Sequence, residues 1–184
     1  MRKTTKNKIK DMAEIALMAV VICLCSWISI PGAVPFTMQT FGVFTAVGLL
    51  GGMRGTLSVL LYLFMGAVGL PVFSGFTGGL GHLLGATGGY IAGFLFSALT
   101  MWLMEHFLGR KPWVLLLSMV TGLIVCYLFG TIWFVEVYTA HTGPMGFGAA
   151  LLTCVIPYII PDLIKIGLSF GLCRSLKKVL KRRA

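Results

Sequence analysis

Apolar residues occur in long runs along this chain, and charged residues are almost confined to the breaks between the runs. Nothing charged occurs from Ile15 to Met53, or from Gly55 to Met104. A helix needs about 20 predominantly apolar residues to cross a bilayer. A cleaved secretory signal would supply one short apolar segment, whereas here such segments recur to the last residues of the chain. The pattern therefore predicts an all-α integral membrane protein.

Proline and glycine clusters divide the apolar runs into six segments. We place the spans at about residues 12–30, 38–53, 55–70, 87–108, 113–137 and 148–173. The connections are short and rich in turn-forming residues, apart from a long glycine-rich stretch between the third and fourth spans. The expected organisation is a single six-helix membrane domain over residues 1–184, with basic ends at about residues 1–11 and 174–184.

The basic residues indicate how these spans are oriented. Of the 15 Lys and Arg residues, five lie in the first ten positions and six in the C-terminal tail. Arg54 and the pair Arg110 and Lys111 fall on the same side as both termini if there are six spans. The positive-inside rule makes that side the cytoplasm. We therefore expect a multi-pass protein of a bacterial-type cell membrane, with both termini cytoplasmic.

Composition supports the membrane class and argues against a nucleic-acid-binding protein. The chain is 58% hydrophobic and only 11% charged, with a mean hydropathy of +0.96, whereas about a quarter of residues are charged in soluble domains. The net charge of +10 is explained by basic span ends that meet the lipid bilayer, so nucleic acid is not an expected partner. The five cysteines lie in apolar spans without a C-x-x-C motif, so we expect packing residues and no metal site.

Lys165 is the only basic residue that cannot be placed at a membrane surface. It follows Asp162 by three positions, so the two side chains share one face of the last helix. Ionisable residues inside a membrane are costly and usually functional. Pro157 and Pro161 precede the pair and are expected to bend this helix. The alternative is a salt bridge that only locks the bundle, but buried pairs often add no stability, and this favours a function.

Ten glycines fall within residues 66–93, which is too many for a lipid-facing helix. Unpaired backbone groups in hydrocarbon cost several kcal/mol each, so we expect a loop that dips inward over an outward-facing pocket. Residues 75–81 are the predicted loop, in which glycine permits close approach of backbone amides to a ligand. Gly89 and Gly93 are expected to serve helix packing instead.

Polar and aromatic side chains near the outer ends of the spans supply candidate binding groups. Thr37 and Gln39 begin the second span, where Gln39 has the alternative role of capping backbone. His82 is expected to be an exposed loop histidine, and Trp133 and Glu136 are expected to lie at the outer interface as an anchor and a solvated acid. The candidate binding residues are Phe36, Thr37, Gln39, Phe73, Ser74, Gly78, Gly79, Thr87, Tyr90, Asp162 and Lys165.

Four segments carry a resemblance to a known family. They read VPFTMQTF at 34–41, LYLFMGAVGLPVFSG at 61–75, GATGGY at 85–90 and IPDLIK at 160–165. In this order and spacing the chain resembles, from about residue 12 to 175, the biotin-specific S component of energy-coupling-factor transporters. It departs from the family's usual pattern at Gly52 and Ala86, where proline is common.

The resemblance implies a membrane subunit that captures biotin from outside. It would work with a transmembrane coupling subunit and two ATPase subunits, with no cofactor and no catalytic residues of its own. The absence of a G-x-x-x-x-G-K-[ST] motif agrees with ATP hydrolysis by partner subunits. In this family small residues on the first helix meet the coupling subunit, and Ala13, Ala16 and Ala19 are the candidates here.

The resemblance also implies roles within the site. Asp162 is expected to accept a ureido N–H of biotin, with Lys165 either donating to the ureido oxygen or pairing with the ligand's carboxylate. Thr37, Gln39 and amides of the glycine-rich loop would close over the rest of the ligand. Phe36, Phe73 and Tyr90 are expected to be its apolar walls.

Three other functions are kept open. The first is an S component for a different vitamin, such as thiamine or riboflavin. The second is an intramembrane enzyme with Ser74 as nucleophile and His82 as base, although no G-x-S-x-G or H-E-x-x-H motif is present. The third is an assembly subunit without a ligand.

Overall fold

The protein folds into a helical bundle with a small hairpin and a structured loop at one end. The structure is a computed structural model, which describes residues 5–32 and 34–183. Residues 1–4 of the predicted basic N-terminal end, and Ala184 of the C-terminal one, lie outside the described residues. The elements are α1 Thr5–Trp27, β1 Ser29–Ile30, β2 Phe36–Thr37, α2 Gln39–Leu50, α3 Gly52–Ala67, α4 Leu80–Leu84, α5 Gly88–Leu108, α6 Pro112–His141, α7 Phe147–Cys154 and α8 Ile156–Arg183.

The all-α membrane class is confirmed, while several helices differ in their bounds from the predicted spans. Within the described residues, three helical segments are long and apolar enough to cross a membrane: Gly88–Leu108, Pro112–His141 and Ile156–Val179. At 1.5 Å per residue α2 and α3 are only about 18 and 24 Å long, below the roughly 30 Å of hydrocarbon. The predicted second span, 38–53, was too long, because α2 ends at Leu50 and Gly51 reverses the chain. The predicted third span, 55–70, has the 16 residues of α3, but α3 begins and ends three residues earlier.

The predicted sixth span is two helices. The chain leaves the helical conformation at Val155, whose φ and ψ are −123° and −56°, between α7 and α8. Pro157 follows two residues later and has no N–H to donate back to Thr153, so a continuous helix would lose this hydrogen bond. Pro161 is accommodated inside α8. The predicted bend is therefore a break, and it precedes the charged pair by about two turns.

Short glycine contacts set the spacing between the helices. Gly51, with φ of +87°, reverses the chain between α2 and α3, and Gly55 then lies so close to α2 that an added Cβ would be 2.3 Å from the Val47 Cα. The equivalent contacts of Gly89 and Gly93 are with Trp133 and Cys126 on α6. The predicted packing role of these two glycines agrees with the structure.

The glycine-rich stretch is an ordered loop tied to α1 and α3. Phe73 is fully buried against Gly66, where no side chain would fit, and packs edge-on to Tyr62 with ring centroids 5.6 Å apart. On the α1 side, the Ser26 hydroxyl donates to the Val72 carbonyl over 2.5 Å, and the Trp27 indole N–H donates to the Pro71 carbonyl over 2.9 Å. These contacts hold the loop across one end of the bundle.

The expected partner surface on α1 is only partly exposed. Ala13 and Ala16 face outward, whereas Ala19 is completely buried in the main core. Ala19 therefore packs inside the bundle because α1 turns this face toward α2 and α3, and it is not available to a partner in this conformation.

We expect Gly55→Ala to destabilise the bundle and Gly167→Ala to leave it unchanged. The new methyl at residue 55 would meet backbone atoms of α2, which cannot rotate away, at a cost of about 1–3 kcal/mol. Gly167 is an exposed helical glycine on α8 with no atom within 4 Å of an added Cβ. Thermal unfolding of both variants in detergent measures the difference. Equal melting temperatures would contradict the close α2–α3 contact.

Candidate functional site

A cavity opens at the end of the bundle that carries the hairpin and the glycine-rich loop. It holds about 590 Å³ of empty space, including the part open to solvent. Seven of the eleven predicted binding residues line it: Thr37, Gln39, Ser74, Thr87, Tyr90, Asp162 and Lys165.

The charged pair forms part of the cavity wall. Asp162 and Lys165 are each only 4% exposed, and the Lys165 Nζ donates to the Asp162 Oδ1 over 2.7 Å. Lys165 also donates to the Thr37 carbonyl over 2.6 Å and lies 4.0 Å from the centroid of the Phe36 ring. Phe36 thus supports the ammonium group by a cation–π contact and is not a lining residue of the cavity. The hairpin and α8 are joined through this lysine.

The Asp162 carboxylate accepts hydrogen bonds from three elements. Besides Lys165, the Thr40 hydroxyl of α2 donates to Oδ1 over 3.1 Å, and the Tyr127 hydroxyl of α6 donates to Oδ2 over 2.5 Å. A buried charge is tolerable only when it is paired and hydrogen-bonded, and this one is both. The carboxylate is therefore the point where α2, α6 and α8 meet.

Gln39 belongs to a second buried network beside the pair. Its Oε1 accepts from the Thr37 hydroxyl over 2.9 Å, and its Nε2 donates to the Tyr62 hydroxyl over 2.5 Å. The Gln39 side chain does not cap α2, so this alternative is wrong. Its amide is held in one orientation at the cavity wall.

The glycine-rich loop contributes fewer groups to the cavity than expected. Phe73 lies under the loop, and Gly78 and Gly79 pack against the end of α3, with the Gly79 N–H donating to the Gly66 carbonyl over 2.7 Å. None of the three lines the cavity, because these residues fasten the loop to the bundle. Ser74 is the predicted loop residue that lines the cavity.

His82 is half-buried and lines the cavity, so the expectation of an exposed loop histidine was wrong. Its ring stacks on Phe73 at 5.6 Å between centroids, and its Nε2 is 3.4 Å from the Thr77 hydroxyl. Burial lowers the pKa of His82, because the charged imidazolium would lose hydration there. The neutral form is thereby favoured near neutral pH. Its hydrogen bond is to Thr77 and not to Ser74, which does not support the pairing that an enzyme would need.

Aromatic residues connect the elements that line the cavity. The Tyr158 hydroxyl donates to the Val34 carbonyl, and the Tyr158 ring stacks with Phe36. Tyr90 bonds to Thr131 over 3.0 Å, which directs its ring toward the cavity. These contacts join α8 to the hairpin and α5 to α6 around the opening.

Trp133 and Glu136 lie on the same stretch of α6, but only Glu136 is exposed. The Trp133 indole N–H donates to the Gly85 carbonyl over 3.1 Å, and its ring packs on Gly89. The expectation of an interfacial anchor is therefore wrong for Trp133, since this side chain fixes the start of α5. The expectation of a solvated acid agrees with the structure for Glu136.

Besides His82, three polar lining residues were missed from the sequence: Thr40, Tyr127 and Tyr158. Thr40 follows Gln39 directly in α2 and both are buried, but adjacent helical residues do not share a face, so helical periodicity gave no signal for Thr40. Tyr127 lies in the middle of an apolar run with no local motif, so only the fold brings its hydroxyl to Asp162. Apolar wall is added by Ile91 and Phe94 of α5.

The arrangement suits a small, partly apolar ligand with hydrogen-bonding groups at one end. The pair has no net charge, and its oxygen and nitrogen atoms lie beside the amide of Gln39. Aromatic and aliphatic side chains form the rest of the cavity. A rigid polar cluster with apolar walls is the usual composition of a small-molecule site.

The fold and this site define a class of substrate-binding membrane proteins. The solved S component for biotin from an ECF-type ABC transporter has the same fold, with a TM-score of 0.86 and 28% sequence identity over 96% of this chain and 95% of that one.

A sequence model of the BioY family matches residues 1–182, and this chain belongs to that family. The probable biotin transporter BioY of Pyrococcus horikoshii is 38% identical over 86% of this chain and 90% of that protein. The biotin transporter BioY of Thermotoga maritima is 36% identical over 92% and 97%, respectively. The family resemblance seen in the four sequence segments is confirmed.

We expect Lys165→Met to destabilise the protein more than the double variant Asp162→Asn, Lys165→Met. The single change leaves a buried carboxylate without its cation, which costs about 3–5 kcal/mol, whereas the double change removes both charges. Chemical or thermal unfolding of the wild type, the two single variants and the double variant gives the coupling free energy. Additive effects of the two single changes would contradict a directly coupled pair.

Proposed function

We propose that this chain captures biotin as the S component of an ECF-type importer. The observation that carries the proposal is the buried Asp162–Lys165 pair in the wall of the cavity. The family's curated members are biotin transporters, and the chain is related to them over nearly its whole length. A binding subunit of this kind is not an enzyme.

Biotin offers groups that match the cavity. Its ureido ring has two N–H donors and one carbonyl, its thioether ring is apolar, and its tail ends in a carboxylate. A ureido N–H would donate to the Asp162 carboxylate, whose Oδ2 has one hydrogen-bond donor, Tyr127, among the described residues. The Gln39 amide and the Ser74 hydroxyl are further partners, while Tyr90 and Phe94 would hold the fused rings.

Lys165 would bind the ligand through its remaining N–H. Its Nζ has three protons, of which one is donated to Asp162 and one to the Thr37 carbonyl. The third is available to the ureido oxygen or to the carboxylate of the tail. The ureido assignment is the simpler one. If Lys165 paired with the carboxylate of biotin instead, that charged group would enter the most buried part of the site.

The proposed topology has six membrane segments with both termini in the cytoplasm. α1, α2, α3, α5, α6 and α8 are the segments, with α2 and α3 extended by the hairpin and the loop. The cavity would then open to the outside, and the basic residues at the other end of the bundle would face the cytoplasm.

The proposed partners are a coupling subunit and two ATPase subunits. The exposed small residues Ala13 and Ala16 provide a place where another helix can approach α1 closely. α1 also holds the glycine-rich loop through Ser26 and Trp27, so a partner docked on α1 would be connected to the cover of the cavity.

Calorimetry of the purified chain in detergent tests this function. Biotin should bind, while thiamine and riboflavin should not compete. Asp162→Asn should weaken biotin binding at least tenfold, because a lost hydrogen bond to a charged group costs about 1.5–3 kcal/mol. Glu136→Gln is the matched control, since it removes an exposed carboxylate far from the pair, and it should bind like the wild type. Selective binding of another vitamin by the folded wild-type protein would contradict the proposal.

Biotin methyl ester distinguishes the two roles of Lys165. If Lys165 donates to the ureido oxygen, the ester should bind the wild type within about threefold of biotin, and Lys165→Met should weaken both ligands alike. If the carboxylate is its partner, the ester should bind the wild type at least tenfold more weakly, and this difference should vanish in Lys165→Met. Competition against labelled biotin measures both affinities.

A further inference from the structure

A second cavity lies at the end of the bundle opposite the first. α8 connects the two, and Lys177 is twelve residues beyond Lys165, or about 18 Å along the helix. The second cavity holds about 540 Å³ of empty space between the ends of α2 and α5, the start of α6 and the last part of α8. It has no role in the site described above.

Four cationic side chains line this cavity: Arg110, Lys111, Arg174 and Lys177. One acid lies among them, Glu105, whose Oε1 accepts from the Arg110 Nε over 2.6 Å. The same carboxylate accepts from the Gly52 N–H over 2.8 Å through Oε2. Glu105 is therefore already used by Arg110 and by the start of α3, and the cavity retains an excess of positive charge.

Within residues 5–32 and 34–183, no acidic side chain is left to pair with the other three cations. Of the chain's five acids, Asp11 and Glu14 bind Arg54, Glu105 binds Arg110 and Asp162 binds Lys165. The fifth, Glu136, is 24 residues beyond Pro112 in α6, or roughly 36 Å away. Lys111, Arg174 and Lys177 are exposed, so their charges are accessible to an anion from outside the chain.

The other walls of the cavity are apolar and continue into surface that suits lipid. Val47, Met101 and Leu115 form the inner wall. Beside the opening, Trp113 of α6 and Leu176 of α8 are 54% and 38% exposed. Trp is enriched at the depth of lipid headgroups, and exposed leucines at this level face acyl chains. A soluble anion would use the charges alone, whereas a lipid would use both the charges and the apolar surface.

We infer that this cavity binds the phosphate headgroup of one anionic lipid, with its acyl chains along α6 and α8. Arginine can bind phosphate oxygens in a bidentate manner, and lysines add charge around them. Basic pockets between helices on the cytoplasmic side are known to bind such headgroups. The bound lipid would hold the C-terminal part of α8 against the α5–α6 turn. Binding at this defined site differs from the general attraction of a basic tail to a membrane.

Lys177 and Lys178 provide a matched pair for the test. They are adjacent in α8 and equally charged, but only Lys177 lines the cavity. The purified full chain in detergent is titrated with phosphatidylglycerol, or with phosphatidylcholine of the same acyl chains, and the bound lipid is counted by native mass spectrometry. Arg174→Gln and Lys111→Gln are second variants from other parts of the cavity, and the melting temperature without lipid shows that each variant is folded.

The wild type should bind one phosphatidylglycerol at least fivefold more tightly than phosphatidylcholine. Lys177→Gln should weaken that binding about fivefold, because it removes one cation from beside the anionic headgroup. Lys178→Gln should weaken the binding less than twofold. Equal effects of the two lysine changes, or no preference for the anionic lipid, would overturn the site. Inorganic phosphate is the third arm: if it raises the melting temperature as much as the lipid does, the cavity takes a soluble anion and the lipid assignment is wrong.

Discussion

The buried ion pair of Asp162 and Lys165 is the interaction on which the rest of the site depends. Its carboxylate joins α8 to α2 and α6, and its ammonium group joins α8 to the hairpin through the Thr37 carbonyl. Two buried charges in a membrane protein are costly, and their mutual attraction seldom exceeds the cost of desolvation. The proposed role of the pair in ligand binding accounts for two buried charges in a bundle otherwise held by apolar packing.

The covering parts of the cavity are attached to the bundle by backbone carbonyls. Ser26 and Trp27 of α1 hold the loop at Val72 and Pro71, and Trp133 of α6 holds it at Gly85. The hairpin is held by Tyr158 at Val34. The irregular backbone at the mouth of the cavity thereby has protein partners for these carbonyl groups.

The two ends of the molecule use charge in different ways. At the cavity, a single acid–base pair is fully compensated and offers directional hydrogen bonds to a small molecule. At the opposite end, cations outnumber acids, and the excess charge suits an anion from the membrane. Both charge arrangements follow from the small number of acidic residues in the chain. Nearly every acid has a defined partner, and the cations at the opposite end outnumber the acids there.

Much of this could be predicted from the sequence, and the exceptions have clear physical causes. The pair was identifiable because Lys165 lies far from any membrane surface, and the packing glycines because their spacing is helical. The roles of Tyr127 and Trp133 could not be predicted, because an aromatic residue in an apolar run gives no sign of a distant partner. Phe73, Gly78 and Gly79 were assigned to the ligand because the sequence does not show which face of a loop meets the bundle. The break at Val155 and the end of α2 at Leu50 depend on local backbone conformation that hydropathy does not report.

The most direct test of the central claim is an experimental structure of the chain with biotin bound. The account predicts that the fused rings of biotin lie in the cavity between α5 and α8. A ureido N–H should be within hydrogen-bonding distance of the Asp162 carboxylate, and Lys165 should remain in contact with that carboxylate. Biotin bound elsewhere, with the Asp162–Lys165 pair untouched by the ligand, would contradict the account and leave the pair with a purely structural role.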